Sequence, residues 1–103
     1  MAYVPSKMEV SDRDWELTQA LYGVDERSWD RRRVASELLQ VCRGLDIPAV
    51  DTTESLRRQE RGAQSTYHAR GGHWNRLGHA TAALHIEDAL RRERMPPDCG
   101  RRP

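Results

Sequence analysis

The residues best suited to acid–base chemistry are concentrated between Thr66 and His79, a segment that holds three of the four histidines. His73 lies in a glycine-rich stretch, residues 70–74, directly before Asn75, a residue type that starts helices. The stretch follows the second of two predicted strands, near where ligands usually bind in an open α/β sheet. A histidine in such a turn can serve as a base toward a hydroxyl on another loop, provided that a carboxylate orients its other ring nitrogen.

The histidines at positions 68, 73, 79 and 85 also suggest metal ligands. Two ligands on one helix need to be three or four residues apart, so that both side chains share a face. His79 and His85 are six residues apart, and no acidic residue lies among the four histidines before Glu87. We therefore predict no metal site, and we predict no other cofactor. A lone turn histidine is often a capping or packing residue, so spacing alone leaves that role open for His73.

Two short apolar runs predict the strands. Ala2 to Val4 is stopped by Pro5 and can form the end of a buried strand. Ile47 to Val50 follows a predicted helix and carries a proline near its start, which suits a buried parallel strand entered from a helix. These runs are separated by more than 40 residues, which leaves room for helices in the connection.

Two helices are predicted in that connection. Ser6 begins the first, and Gly23 ends it as a C-cap glycine does. A polar connection follows, in which Trp29 is expected to anchor the chain, and the second helix begins near Asp30. Its apolar residues recur at intervals of four, three and four, which is one face of an α-helix: Val34, Leu38, Val41 and Leu45.

Two more helices are predicted after the second strand. Asp51 and Glu54 have the spacing of a capping box, which predicts a helix from residue 52 to about residue 61 that Gly62 ends. Residues 66–68 are expected to be extended. Asn75 is a good N-cap for the last helix, whose two largely apolar sides predict packing on a sheet. One side holds Leu77, Ala80, Thr81, Leu84 and Asp88, and the other holds His79, Ala83, Ile86 and Leu90.

The predicted order is strand, helix, helix, strand, helix, turn, helix, which indicates an α/β fold with a parallel sheet. The chain has 103 residues, the size of one small domain. Two parallel strands do not make a sheet that covers these helices, so we expect the chain to represent part of a larger layered domain. Residues 95–103 contain three prolines and a glycine, and we predict a disordered tail there.

One family matches these features in order. His73-Trp74-Asn75 followed by Gly78-His79 resembles the last sequence block of SGNH (GDSL-type) hydrolases, particularly the branch related to alginate acetyltransferases. Tyr3 to Lys7 resembles the strand and turn found midway through those domains. Gly44 to Asp51 resembles their late strand with its trailing aspartate. The resemblance spans roughly residues 1–92, and the ordered run of three features is more specific than any one of them.

The resemblance implies a partial three-layer, flavodoxin-like fold in which residues 1–94 are the C-terminal half of an SGNH hydrolase-like domain. His73 matches the family's catalytic histidine, the general base that activates a serine for acyl-ester hydrolysis or O-acyl transfer. Trp74, Asn75 and Gly78 match positions that shape the turn and start the helix. The family's aspartate, two residues before the histidine, is replaced by Gly71.

The nucleophile of that family lies in a Gly-Asp-Ser block, and no such block occurs in this sequence. The serines lack the strand-to-helix glycine setting that a nucleophile needs: Ser6, Ser11, Ser28, Ser36, Ser55 and Ser65. Gly71 also removes the aspartate that orients the histidine, and the same loss in a serine protease lowers turnover by about 10⁴. We therefore expect a truncated or degenerate esterase or acyltransferase, a pseudoenzyme that is inactive alone.

Composition limits the partners. The chain has 17 basic and 16 acidic residues, and its arginine runs are accompanied by acids without interleaved aromatics, so we expect no nucleic-acid partner. No apolar run approaches membrane-spanning length, and no signal peptide is recognisable, which leaves the compartment open because a parent protein can still be exported. The expected partners are an acyl-ester or carbohydrate-ester substrate if the domain is complete, a second copy, or the missing N-terminal half.

Two alternatives to the esterase interpretation remain. One is a non-catalytic protein-interaction module that buries its exposed sheet edge against a partner or a second copy. The other is a fragment that never folds stably, since 37% apolar residues and the absence of phenylalanine predict a thin core. Asp51 ends a strand and could replace the lost carboxylate, although capping of the next helix is its simpler role. The tryptophans are expected to be packing residues.

Overall fold

The described part of the chain has a mixed α/β fold, mostly helical, with a two-stranded parallel sheet. The computed structural model describes residues 1–62 and 64–93. Its elements are β1 (Ala2–Tyr3), α1 (Lys7–Val10), α2 (Asp12–Tyr22), α3 (Arg33–Gly44), β2 (Val50–Asp51), α4 (Thr53–Arg61) and α5 (Arg76–Glu93). This is the predicted order, except that the first predicted helix is two helices. The predicted tail, residues 95–103, lies outside the described residues.

The two strands pair in parallel, as predicted, with Ala2 opposite Val50 and Tyr3 opposite Asp51. Each strand is two residues long, so β2 is shorter than the predicted run from Ile47. The reason lies at the end of α3. The Ile47 N–H donates to the Cys42 carbonyl at 2.8 Å, and Pro48 has no N–H to offer a neighbouring strand.

The first predicted helix divides at Ser11 because that residue has extended dihedrals, φ −100° and ψ 115°. Ser6 begins α1, and its N–H donates to the Glu9 carboxylate at 2.7 Å. Ser11 then caps α2 by accepting from the Asp14 N–H at 3.2 Å. At the far end Gly23 takes the left-handed conformation, φ +63°, which confirms the predicted C-cap.

The core forms around α1 and α4 rather than between the sheet and the long helices. Val10, Leu56 and Tyr67 are its buried residues, and Trp74 packs against them. The expected packing role of Trp74 is confirmed, and that of Trp15 also, since its side chain is buried. Trp29 is 61% exposed, so it does not anchor its loop in the core.

The two longest helices, α3 and α5, bury fewer apolar side chains than their hydrophobic periodicity predicts. Helix α3 buries Ala35 and Cys42. The apolar residues that recur along its sequence are all exposed: Val34, Leu38, Val41 and Leu45. Helix α5 packs mainly on α4 and buries the small residues Ala82 and Ala89, so its predicted packing on the sheet is not observed. No helix among the described residues is both long and apolar enough to cross a membrane.

Residues 66–75 form a short hairpin before α5, which we call the histidine hairpin. Tyr67 and Trp74 form an antiparallel bridge, and the Asn75 N–H donates to the Thr66 carbonyl at 3.0 Å. Helix α5 lies so close to this hairpin that a β-carbon on Gly78 would stand 2.1 Å from the Thr66 carbonyl oxygen. Only glycine fits at this position, because the clashing atom is backbone and cannot rotate away.

The substitution Gly78→Ala should therefore lower the free energy of unfolding by about 1–3 kcal/mol, the usual cost of overpacking. Urea denaturation followed by circular dichroism measures it. Gly44→Ala is the matched control, because a β-carbon there meets no atom within 4 Å. That variant should be unchanged or more stable by up to about 1 kcal/mol, from helix propensity. Equal stability losses in the two variants would contradict the close approach of α5 to the hairpin.

Candidate functional site

The candidate base, His73, lies on the exposed outer part of the histidine hairpin. Its carbonyl accepts a hydrogen bond from the His68 N–H at 3.0 Å, which fixes its main chain across the hairpin. Gly71, two residues earlier, has φ +84°, a backbone conformation that residues with a side chain rarely adopt. The predicted turn is thus present and its imidazole is accessible, while the position of the family's aspartate carries no side chain.

The hairpin is tethered to the chain that leaves β1. Tyr67 is buried, and its hydroxyl donates to the Pro5 carbonyl at 2.8 Å. Burial raises the pKa of Tyr67 to about 12. Lys7 adds a bond from its Nζ to the His68 carbonyl at 3.2 Å. His73 is therefore held near the carboxyl end of β1.

The junction of the hairpin with α5 is built by the residues after His73. The Asn75 Oδ1 accepts from the Gly78 N–H at 2.9 Å, which confirms the predicted N-cap of the last helix. Its Nδ2 donates back to the Ser65 carbonyl at 2.7 Å. Trp74 and His79 stack edge to face with ring centroids 5.4 Å apart. These residues shape the turn, which is the role that the resemblance implies for Trp74, Asn75 and Gly78.

A buried carboxylate lies at the same edge of the sheet. Glu9 is 6% exposed, and both its oxygens accept from the Tyr3 hydroxyl at 2.8 Å. Burial and the Glu9 carboxylate together raise the pKa of Tyr3 above its ordinary value. Arg32 approaches Glu9 at 3.5 Å and donates to Thr53 Oγ1 at 2.9 Å. We call Tyr3, Glu9, Arg32, Asp51 and Thr53 the strand-end network.

Sequence reasoning missed three members of that network: Glu9, Arg32 and Thr53. Glu9 stands three residues after Ser6, which is the capping-box spacing, so this signal was present in the sequence. Arg32 belongs to the run Arg31–Arg33, which reads as a solvated helix face. The structure instead places Arg32 just before α3, where it pairs with Asp51 at the end of β2 and with Glu9 of α1. No sequence signal distinguishes it from the arginines on either side.

The Asp51 carboxylate is hydrogen-bonded to the start of α4 and to Arg32. Its Oδ1 accepts from the Thr53 N–H at 3.0 Å and from Thr53 Oγ1 at 2.6 Å, and its Oδ2 pairs with Arg32. The expected link to the next helix is confirmed, but α4 begins at Thr53 with Thr52 as N-cap, so the predicted capping box of Asp51 with Glu54 is wrong. Asp51 bonds Arg32 and Thr53, so the structure does not bring it to a histidine as a substitute carboxylate.

Sequence reasoning did not find a hydroxyl–imidazole pair between Ser55 and His85. Ser55 Oγ lies 2.7 Å from His85 Nδ1, which joins α4 to α5. Arg58 also approaches this hydroxyl at 3.4 Å. Ser55 stands inside a helix, and its 30-residue separation from His85 gives no local sequence signal. The geometry suits a helix–helix contact. A catalytic role for Ser55 would also require preorganised donors for the oxyanion that develops on the substrate.

An apolar cleft of about 590 Å³ lies beside the hairpin. Val4 and Met8 line it from the segment after β1, and Gly72 lines it from the hairpin. Trp15 and Trp29 also contribute to its wall. The cleft therefore adjoins the residue that precedes the candidate base. Within residues 1–62 and 64–93, no group of three His, Cys, Asp or Glu side chains is arranged to hold a metal ion.

The strand-end network predicts that the folded state loses stability at low pH. Burial raises the pKa of Asp51, but the hydrogen bonds from Thr53 and Arg32 outweigh it and hold the pKa below its ordinary value. A depressed folded pKa adds stability above the unfolded value of about 3.9, and this stability is lost as pH falls through the folded pKa. Stability should therefore fall below about pH 4, and this fall should be smaller in Asp51→Asn. Asp46→Asn, at an exposed position, should keep the parental pH profile in urea titrations.

The tether of the hairpin is tested by Tyr67→Phe. Removing the hydroxyl leaves the Pro5 carbonyl without its donor, which should lower the free energy of unfolding by about 1–2 kcal/mol. Tyr22→Phe is the matched control, because Tyr22 is 77% exposed and the change should cost nothing measurable. Chemical denaturation of both variants measures the difference. Equal stability of the two would mean that the Tyr67 bond does not hold the hairpin.

Comparison with known proteins found no similar protein. No family model, no curated protein and no solved structure matches the chain. The relation to SGNH hydrolases, which rests on His73, Trp74, Asn75 and Gly78, therefore stays a prediction. The same holds for a flavodoxin-like sheet beyond the two parallel strands. What the structure establishes is a mixed α/β fold with an exposed histidine on a tethered hairpin.

Proposed function

We propose that this chain is part of an SGNH hydrolase-like domain, in which His73 is the general base of acyl-ester hydrolysis or O-acyl transfer. One observation carries the proposal. An exposed imidazole stands on a hairpin that Tyr67 ties to the carboxyl end of β1, beside an apolar cleft. Ligand sites of open α/β sheets lie at that end of the strands, and a base must be within reach of the proton it takes.

The nucleophile in this proposal comes from a polypeptide segment other than these 103 residues. Ser6 and Ser11 begin helices, and Ser55 contacts His85. Ser28, Ser36 and Ser65 likewise lack the strand, glycine and helix that present a nucleophilic hydroxyl, and no Gly-Asp-Ser sequence is present. Alone, the chain has a base without the serine that it would deprotonate.

The incomplete sheet supports the same proposal. Two strands of two residues each leave the exposed apolar row of α3 uncovered by the described residues. Further parallel strands beside β1 and β2 would give these helices a sheet to cover, and the result would be the three-layer flavodoxin-like arrangement. Burial of such a row is a strong driving force, at about 25 cal/mol for each square ångström of apolar surface.

In the complete site His73 would take the proton from the serine hydroxyl as the oxygen attacks the ester carbonyl, and would return it to the leaving alcohol. The hairpin bond between His68 and His73 positions the main chain for this step. Gly71 supplies no carboxylate to orient the imidazole. We therefore expect catalysis weaker than in a complete triad, by up to about 10⁴ in turnover.

The test is the esterase activity of the full reading frame that encodes this chain. We expect a Gly-Asp-Ser serine in that frame to be labelled by a fluorophosphonate, and p-nitrophenyl acetate turnover to fall by about 10² in His73→Ala, because the missing carboxylate has already removed part of the histidine's contribution. His68→Ala is the control, because His68 is an exposed histidine in the same hairpin and should retain turnover within a few-fold. The 103-residue chain alone should be neither labelled nor active.

Three results would overturn the catalytic proposal. One is a reading frame without a nucleophile block and without fluorophosphonate labelling. Another is turnover in the full frame that survives His73→Ala. The third is turnover by the 103-residue chain that disappears in Ser55→Ala, which would make Ser55 and His85 the reacting pair.

A second candidate, a non-catalytic interaction module, is favoured by the exposed apolar row of α3. Its occupant would be a second copy of the chain. Charges of both signs border the row, at Arg33, Glu37 and Arg43, which suits an isologous contact between two identical helices. Sedimentation over a range of concentrations separates this candidate from the first. A dimer that Val41→Asp dissociates would support it, and a monomer at all concentrations would exclude it.

A further inference from the structure

The apolar cleft beside the histidine hairpin has the size of a small-molecule site. Its volume of about 590 Å³ lies within the roughly 300–1,000 Å³ typical of ligand pockets. Its apolar walls are Val4, Met8, Trp15, Trp29 and Val34. Trp29 and Val34 are 61% and 68% exposed, so large apolar surfaces meet water at this concave place. A ligand that covers them would gain the free energy of that burial.

The cationic group that lines the cleft is already paired. The Arg31 guanidinium donates to the Met8 carbonyl at 2.9 Å and to Asp12, and it lies 5.8 Å from the centre of the Trp15 ring. Asp30 accepts from the Arg32 N–H at 2.9 Å. The cleft therefore offers no unpaired cation to an anionic ligand, and its mainly apolar walls favour an apolar group.

We infer that this cleft binds the acyl chain of a neutral ester, an unbranched alkyl chain of medium length rather than an acetyl group. This inference rests on the proposed function, because Gly72 lines the cleft and directly precedes His73. An ester whose carbonyl stands at the His73 imidazole has its alkyl chain beside Gly72, where the apolar walls begin. An acetyl group would leave Trp15, Trp29 and Val34 untouched.

The experiment is binding of methyl butanoate, methyl hexanoate and methyl octanoate to the 103-residue chain, followed by tryptophan fluorescence. Trp29 lines the cleft and is 61% exposed, so a bound chain that covers it should shift its emission to shorter wavelength. Each buried methylene should tighten binding by about fourfold, or about fifteenfold for each step in the series. The step should shrink once the cleft is full.

Val34→Ser and Val41→Ser form a matched pair for this experiment. Both residues are exposed on α3, seven positions apart and so on one face, and only Val34 lines the cleft. Val34→Ser should weaken methyl octanoate by at least about fourfold, while Val41→Ser should leave it unchanged. Affinity independent of chain length, or equal effects of the two substitutions, would overturn the inference.

The result is separable from that of the esterase test. Chain-length-dependent binding that Val34→Ser weakens, without turnover in the full reading frame, would keep the acyl site and remove the catalytic proposal. Turnover that depends on His73, with no dependence of binding on chain length, would do the reverse. A chain that sedimentation shows to be a dimer, with Trp29 shielded from acrylamide, would also overturn the acyl site.

Discussion

The buried carboxylate of Glu9 is the constraint on which the rest of the structure depends. A carboxylate removed from water is tolerated only when donors surround it, and Glu9 has the Tyr3 hydroxyl, the Ser6 N–H and the Arg32 guanidinium. These donors belong to β1, to the start of α1 and to the segment before α3. One side chain therefore fixes the relative positions of three segments.

The same constraint extends to the second strand through Arg32, which also binds Asp51 and Thr53. A cation shared between two carboxylates reduces their mutual repulsion, so the ends of both strands can approach. The parallel pair is only two residues long on each side and contributes few ladder hydrogen bonds. The strand ends are consequently held by side chains as much as by the sheet itself.

Much of the fold could be predicted from the sequence, because local signals set most helix ends. Gly23, Gly62 and Asn75 mark real helix boundaries, and the two apolar runs do pair in parallel. The burial of helix faces could not be predicted, because periodicity reports which residues share a face but not what covers that face. The exposed α3 row is the example. The division of the first predicted helix at Ser11 was not predicted, because Ser11 was not recognised as the cap of a second helix.

The candidate site divides in the same way. The turn that carries His73 was predicted from its glycines and from Asn75, whereas its tether through Tyr67 joins positions 62 residues apart and leaves no local pattern. The Ser55–His85 contact and the role of Arg32 are likewise products of tertiary packing. Residue types indicated which groups can react, and only the fold decided which of them meet.

The tether also has a consequence for the order in which the chain folds. The bond from Tyr67 to Pro5 and the bond from Thr52 to Tyr3 close loops of 62 and 49 residues, while α4, the histidine hairpin and α5 are neighbours in sequence. Closing long loops costs chain entropy before any contact rewards it, so the local C-terminal elements should form early and residues 1–10 should dock late. The docking of that first segment is then the step that completes the surroundings of His73.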